Sequence, residues 1–320
     1  MEYSLCVLPY PKQIRPMRTN TSLDQAEGLR RLLVRNHIRV VTLVAGKLGV
    51  GRTSMATNLA AAMAHFGKQV LVLDENHAPH NVSAHLDLSV RYDLLDAIQS
   101  KCKPREAMLK SNGFFVLPTA RAMHSLAQLK RTERQQLEDV LMEVSSDVDV
   151  ILVDAAMPVL RQAEMSSSLV SGSSLLVVVD ATISGITDSY ALIKRLMHEN
   201  ASVQFEIVVN KVANEKVAMT VFGNMEKVAQ RNLATRLEYF GYIPYDPKLQ
   251  HTMQLGKSVI ETYSDAPSTK SYLALSQRLL SIRTQRAESG DGVKAIMQNF
   301  VDQVAQPLLY QTQSVARTLS

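Results

Sequence analysis

Apolar positions alternate between two rhythms from residue 39 to about residue 283. Short β-branched runs predict strands at Val40–Val44, Val70–Leu73, Phe114–Leu117, Val150–Val153, Leu175–Val179 and Phe205–Val209. Helical spacing predicts helices between most of them, at Thr53–Phe66, Leu126–Val144, Thr187–Met197 and Glu215–Leu233. This order implies right-handed crossovers and an α/β fold: a mostly parallel, doubly wound sheet with helices on both faces. Val150–Val153 and Leu175–Val179 are apolar at every position, so they belong in the sheet centre, buried from both sides.

The flanks follow other patterns. Residues 1–20 carry Pro9, Pro11 and Pro16 and no apolar period, as in a flexible arm. Residues 22–36 predict a short helix, with Ser22 as N-cap, Gln25 three residues on, and a stripe of Leu23, Ala26, Leu29 and Leu33. Residues 284–292 form a polar, Gly-containing linker. Beyond it Val293, Ile296, Met297, Phe300, Val301, Val304 and Leu308 mark an amphipathic helix that Pro307 ends or kinks. The expected division is 1–38, 39–283, 284–292 and 293–320.

Composition narrows the class. The chain has 320 residues, 46% apolar and 20% charged, which excludes wholly disordered, collagenous and low-complexity chains. Cys6 and Cys102 are far apart and in no metal-ligand spacing, so a reducing cytosol is expected. The longest run of Leu, Ile and Val is the five residues Leu175–Val179, against the about 20 apolar residues that a membrane span needs. Net charge is +5, and residues 1–39 hold seven basic groups against three acidic ones. Such an arm suits nucleic acid, an anionic membrane or an acidic protein surface, and it equally suits a solvated tail.

The strongest chemical signal is Ala45-Gly46-Lys47-Leu48-Gly49-Val50-Gly51-Arg52-Thr53-Ser54, which follows a strand and opens a helix. Glycines let the backbone wrap an anion, and the N–H groups of loop and helix start then point at phosphates. Thr53 is placed to ligate Mg²⁺ and Ser54 to reach the α-phosphate. Further on, Asp154 ends an apolar strand and can hold Mg²⁺ directly or through water.

These residues resemble the MinD/ParA family of deviant Walker ATPases, whose loop reads K-G-G-x-G-K-[ST]. The resemblance implies nucleotide contacts from Gly46, Lys47, Gly49, Val50, Gly51, Arg52, Thr53 and Ser54, with ATP and Mg²⁺ as ligands. Lys47 matches the signature lysine, which in relatives reaches the partner's phosphates across an ATP-bound homodimer. Leu48 replaces a glycine and Arg52 the loop lysine. In Asp74-Glu75-Asn76, where the family has D-x-D, Asp74 matches while Asn76 replaces the aspartate that helps activate water; Asn81 also matches and Ala78 replaces a glycine. Lys47, Asp74 and Asn76 thus hold the catalytic positions, yet an amide cannot take up a proton. Pro158 replaces a glycine whose N–H senses the γ-phosphate, and proline has none to give. Weak or absent hydrolysis is expected. Asn210 falls at the adenine-contacting asparagine, and Gly241–Pro247, with Pro244, resembles the segment that closes over the base.

Leu23-Asp24-Gln25-Ala26-Glu27-Gly28-Leu29-Arg30 resembles the D-Q-A-x-x-L-R motif of the flagellar-number regulators, the FlhG/FleN family. There this helix binds the FlhF-type GTPase and stimulates GTP hydrolysis, which gives Asp24, Gln25, Leu29 and Arg30 a partner-binding role and Gln25 the polar group delivered to the partner. The resemblance implies flagellar regulators or basal-body proteins as further partners and a cytoplasmic protein. Two readings of residues 293–309 stay open, peripheral membrane contact at the inner face of the cell membrane and packing on protein, because the polar face carries no net charge. Rival readings are a non-hydrolysing adaptor and a ParA-type DNA partition protein. Sequence-specific DNA binding is not expected. His77, His80 and His85 fit no zinc spacing and read as loop histidines.

Overall fold

β1 (Arg39–Val44) runs up the middle of an eight-stranded sheet, and both its neighbours come from far along the chain. The other strands are β2 (Val70–Asp74), β3 (Leu109–Lys110), β4 (Phe115–Pro118), β5 (Val150–Asp154), β6 (Ser174–Asp180), β7 (Phe205–Val212) and β8 (Leu237–Pro244). Their spatial order is β3-β4-β2-β5-β1-β6-β7-β8, parallel except where the short β3 pairs antiparallel with β4. This computed structural model describes residues 38–156, 174–199, 203–233 and 235–281. The sequence-based expectations for the arm, the 22–36 helix with Asp24, Gln25, Leu29 and Arg30, for Pro158, and for residues 284–320 lie outside them.

The helices are α1 (Arg52–His65), α2 (Val82–His85), α3 (Leu94–Ile98), α4 (Ala120–Ser125), α5 (Arg131–Val144), α6 (Ile183–Glu199), α7 (Glu215–Leu233), α8 (Pro247–Gln254), α9 (Val259–Thr262) and α10 (Pro267–Ser281). Successive strand residues point to opposite faces, which divides the core in two. Val41, Leu43, Val150, Leu152, Leu176 and Val178 pack with Met55, Leu59 and Met63 of α1 and Tyr272 and Leu275 of α10. Val40, Val44, Ile151, Val153, Leu175 and Val177 face Leu137 and Val140 of α5, Ile193 of α6 and Val221 of α7. Two packed faces explain the continuous apolar strands. Each fully buried Leu or Val contributes roughly 1.5–3 kcal/mol.

The helix expected at Thr187–Met197 starts earlier, at Ile183, the strand expected at Phe205–Val209 runs on to Val212, and two further expectations differ in kind. The helix expected from Leu126 to Val144 is broken: a 3-10 turn ends at Gln128, and α5 starts afresh after Lys130, whose N–H donates to Glu133 Oε2 at 2.8 Å. That carboxylate supplies the missing acceptor at the helix start, so a new helix begins there. β8 is a full strand where only a base-closing loop segment was expected. Arg278 of α10 donates to the Phe240 carbonyl at 3.0 Å, pairs with Glu238 at 2.9 Å and stacks over the Phe240 ring, covering this sheet edge.

Candidate functional site

The strand order turns at β1: β2 lies on one side beyond β5, and β6 to β8 lie on the other. Ligands of open α/β sheets bind at the carboxyl ends of strands at such a point. The loop Ala45–Gly51 leaves β1 there and feeds α1, whose first N–H groups have no partner within the helix.

Glycine is required at two loop positions. A Cβ on Gly46 would stand 2.2 Å from the Asp188 backbone, so only a bare backbone can pack against α6. Gly51 has φ 98°, and a Cβ there would meet Asn210 Nδ2 at 2.3 Å. Val50 is buried and anchors the loop from within. Beneath the loop, Asn210 Nδ2 donates to the Val50 carbonyl at 2.7 Å and Lys211 Nζ to the Gly49 carbonyl at 2.6 Å. The side-chain amide of Asn210, expected at the adenine, is therefore engaged with the loop backbone.

Lys47 reaches sideways within its own chain. Its Nζ lies 2.8 Å from Ser184 Oγ, 3.2 Å from Thr182 Oγ1 and 3.8 Å from Asp180 Oδ2, at the end of β6 and just past it. Ser54 is buried in the first turn of α1, where its carbonyl accepts from Asn58 Nδ2 at 2.8 Å. Pro244 closes β8 opposite Val212. Asp246 accepts from Lys248 N, Ser268 N and Ser268 Oγ, which ties α8 to the start of α10.

Asp74 and Asp154 lie side by side in register at the ends of β2 and β5. Burial first, and then the Asp154 carboxylate, push the Asp74 carboxyl up to about 7, against hydrogen bonds from the Asn76 and Val82 N–H groups. Asp154 is fully buried and holds two partners: Arg52 Nε at 2.5 Å and the Thr53 hydroxyl at 2.7 Å. Arg52 Nη2 donates to Asn76 Oδ1 at 2.6 Å, and Asn76 Nδ2 donates to the Asp154 carbonyl at 2.9 Å. Asn81 caps α2 by accepting from Ala84 N. His77 stacks on His124 with ring centroids 5.0 Å apart, and burial lowers the His85 pKa; no cluster of metal-ligating side chains occurs among the described residues.

Sequence reasoning missed three residues. Glu75 is buried, and its Oε2 accepts from Ala156 N at 2.9 Å, joining the loop after β2 to the chain leaving β5. Lys211 has φ 60°, unusual for a lysine, and this turn brings its amine under Gly49. Asp180 accepts from the Thr182 hydroxyl and pairs with Lys47. Its signal was present: like Asp154, it is an acid ending an all-apolar strand.

A glycine loop between a central parallel strand and a helix, faced by an acid-ended strand, defines a P-loop nucleotide-binding protein. A family model described as an AAA domain matches residues 38–207. Antiactivator FleN of Pseudomonas aeruginosa is 30% identical over 243 residues, covering 76% of this chain and 86% of that one. MinD cell division protein of Aquifex aeolicus superposes with TM-score 0.59 at 23% identity, covering 78% of this chain and 100% of that one. Septum site-determining protein MinD of Pyrococcus horikoshii, solved with Mg-ADP, superposes with TM-score 0.55 at 19% identity over 76% of this chain and 96% of its own. The chain belongs to the MinD/ParA-type ATPase family, in the flagellar-number regulator group that includes FleN, with altered catalytic motifs.

The family implies a magnesium ion between Thr53 and Asp154. Those two residues do meet, but the arrangement does not fit the ion. One carboxylate oxygen carries a guanidinium and the other a hydroxyl proton. Mg²⁺ demands near-octahedral oxygen ligands at about 2.0–2.1 Å.

Proposed function

We propose that this protein is an ATP-binding regulator of flagellar number and placement, working as a nucleotide-dependent dimer switch. The observation that carries the nucleotide part is the Gly46–Gly51 loop, clipped from below through its carbonyls at the mouth of the sheet. The flagellar part rests on the similarity to antiactivator FleN. In the dimer, Lys47 would leave Thr182 and Ser184 for the phosphates of the second copy. Leu48 and Ile183 support this, since both are apolar and are 64% and 87% exposed beside the lysine and its anchors.

Residues 22–36 would act outside the ATPase fold, docking on an FlhF-type GTPase and presenting Gln25. Residues 293–309 would add a second docking element, for a membrane surface or a protein. Asn76 favours one variant of this reading, a non-hydrolysing adaptor, because its amide is bonded to Arg52 and Asp154 and cannot serve as a carboxylate.

Two measurements test the proposal. ATP at about 100 Kd should stabilise the full chain by about 2.7 kcal/mol; no thermal shift with millimolar ATP refutes the nucleotide part. The full chain should raise GTP hydrolysis by FlhF. Gln25→Ala should abolish that rise while leaving complex formation intact, and Leu29→Asp should weaken the complex itself. Unchanged stimulation by Gln25→Ala refutes the activator role.

A further inference from the structure

Two departures from the family motif, far apart in sequence, touch each other. Arg52 opens α1, Asn76 follows β2, and Asp154 ends β5. Arg52 Nε holds Asp154 Oδ1, its Nη2 holds Asn76 Oδ1, and Asn76 Nδ2 returns to the Asp154 carbonyl. Thr53 takes the remaining carboxylate oxygen. The ring closes with a fully buried carboxylate neutralised by a cation that is itself only 7% exposed.

The residue types at 52 and 76 suit each other. A guanidinium has donors in a fixed fork, so it can hold a carboxylate and an amide oxygen at once, and it stays protonated at any working pH. A lysine would bring one compact charge without that fork. An amide at 76 supplies an acceptor for the arginine and a donor for the Asp154 carbonyl, whereas an aspartate would supply only acceptors and a third carboxylate beside Asp74 and Asp154.

We infer that the Arg52 guanidinium is the resident cation of this site and takes the place of the divalent metal, so that a nucleoside triphosphate binds without Mg²⁺. The inference rests on the nucleotide-binding reading above and adds how the phosphate charge is met. Nη1 of Arg52 makes no bond to any described residue, which leaves its N–H groups for a phosphate oxygen.

Calorimetric titration of ATP into the full chain, with millimolar Mg²⁺ or with EDTA, tests this in the wild type and in Arg52→Lys. Wild-type Kd should agree within about threefold between the two buffers, while Arg52→Lys should bind at least about tenfold tighter with Mg²⁺. A wild-type loss of about tenfold or more in EDTA overturns the inference and leaves the nucleotide reading standing. A wild type that binds no ATP in either buffer defeats that reading and, with it, metal-free nucleotide binding; nitrogen NMR of the arginine side chains then decides the remaining half, that Arg52 is the resident cation in place of the metal. An Arg52 Nε–H signal that is slow to exchange, unmoved by Mg²⁺ and lost in Arg52→Lys sustains it. A signal that Mg²⁺ shifts or broadens overturns it.

Discussion

The loop after β1 and the acidic pair at the ends of β2 and β5 face one site but are held by opposite means. The loop is shaped by absent side chains: Gly46 and Gly51 leave room for the Asp188 backbone and the Asn210 amide. The acidic end is held by present ones, with Arg52, Asn76, Thr53 and Asp154 bonded to one another. Wrapping an anion needs backbone N–H groups and space. Hydrolysis needs unspent charged groups around a water. This chain has the glycines of the first set, and at the place of the second Arg52, Asn76 and Asp154 clamp one another.

That contrast sets an order of expected damage. Asp154→Ala leaves a buried guanidinium without its partner, and chemical unfolding should show a loss of about 4 kcal/mol. A loss below about 1 kcal/mol would mean that the clamp is not structural. Gly46→Ala forces a Cβ into the α6 backbone and should cost about 3 kcal/mol in the same experiment, with ATP binding lost as the loop shifts. A neutral result would break the account of the loop.

Next comes pH. Folded Asp74 holds its proton up to about 7, while the unfolded chain loses it near 3.8. The folded state therefore binds more protons between these values, so this group makes stability fall as pH rises from about 4 through 7 and level off above. Between pH 5 and pH 8 the difference is about 3 kcal/mol, and Asp74→Asn should remove it from the unfolding profile. An identical pH slope in the variant would contradict the assignment. Smallest is Asn210→Ala, which removes the bond to the Val50 carbonyl and should cost about 1 kcal/mol, with a larger relative loss in ATP affinity than in stability.

The central strands were legible because burial on both faces leaves an unbroken apolar run, as in Val150–Val153. The loop was legible because its glycines, base and hydroxyl stand consecutively. β8 was not: Leu237–Pro244 mixes Glu238, Gly241 and Pro244 into an edge strand, and its partner β7 is set by the crossover between them. The broken helix at Leu129–Lys130 depends on one carboxylate, Glu133, turning back. The Arg52–Asp154 pair joins residues 102 positions apart, through the adjacency of β1 and β5. The sequence puts both groups in motifs of a nucleotide site, but it cannot say that they neutralise each other. Glu75 escaped notice because its neighbours carried the motif.

Asn210 and Lys211 are consecutive residues of β7, and between them they hold two consecutive carbonyls of the loop, Val50 and Gly49. Holding the oxygens fixes the rotation of the two peptide planes, and with it the direction of the N–H groups on their far side. The conformational entropy of this loop is thus surrendered when the chain folds, not when a ligand arrives. An anion entering here meets a preorganised seat, and its affinity is not diminished by a loop-ordering cost.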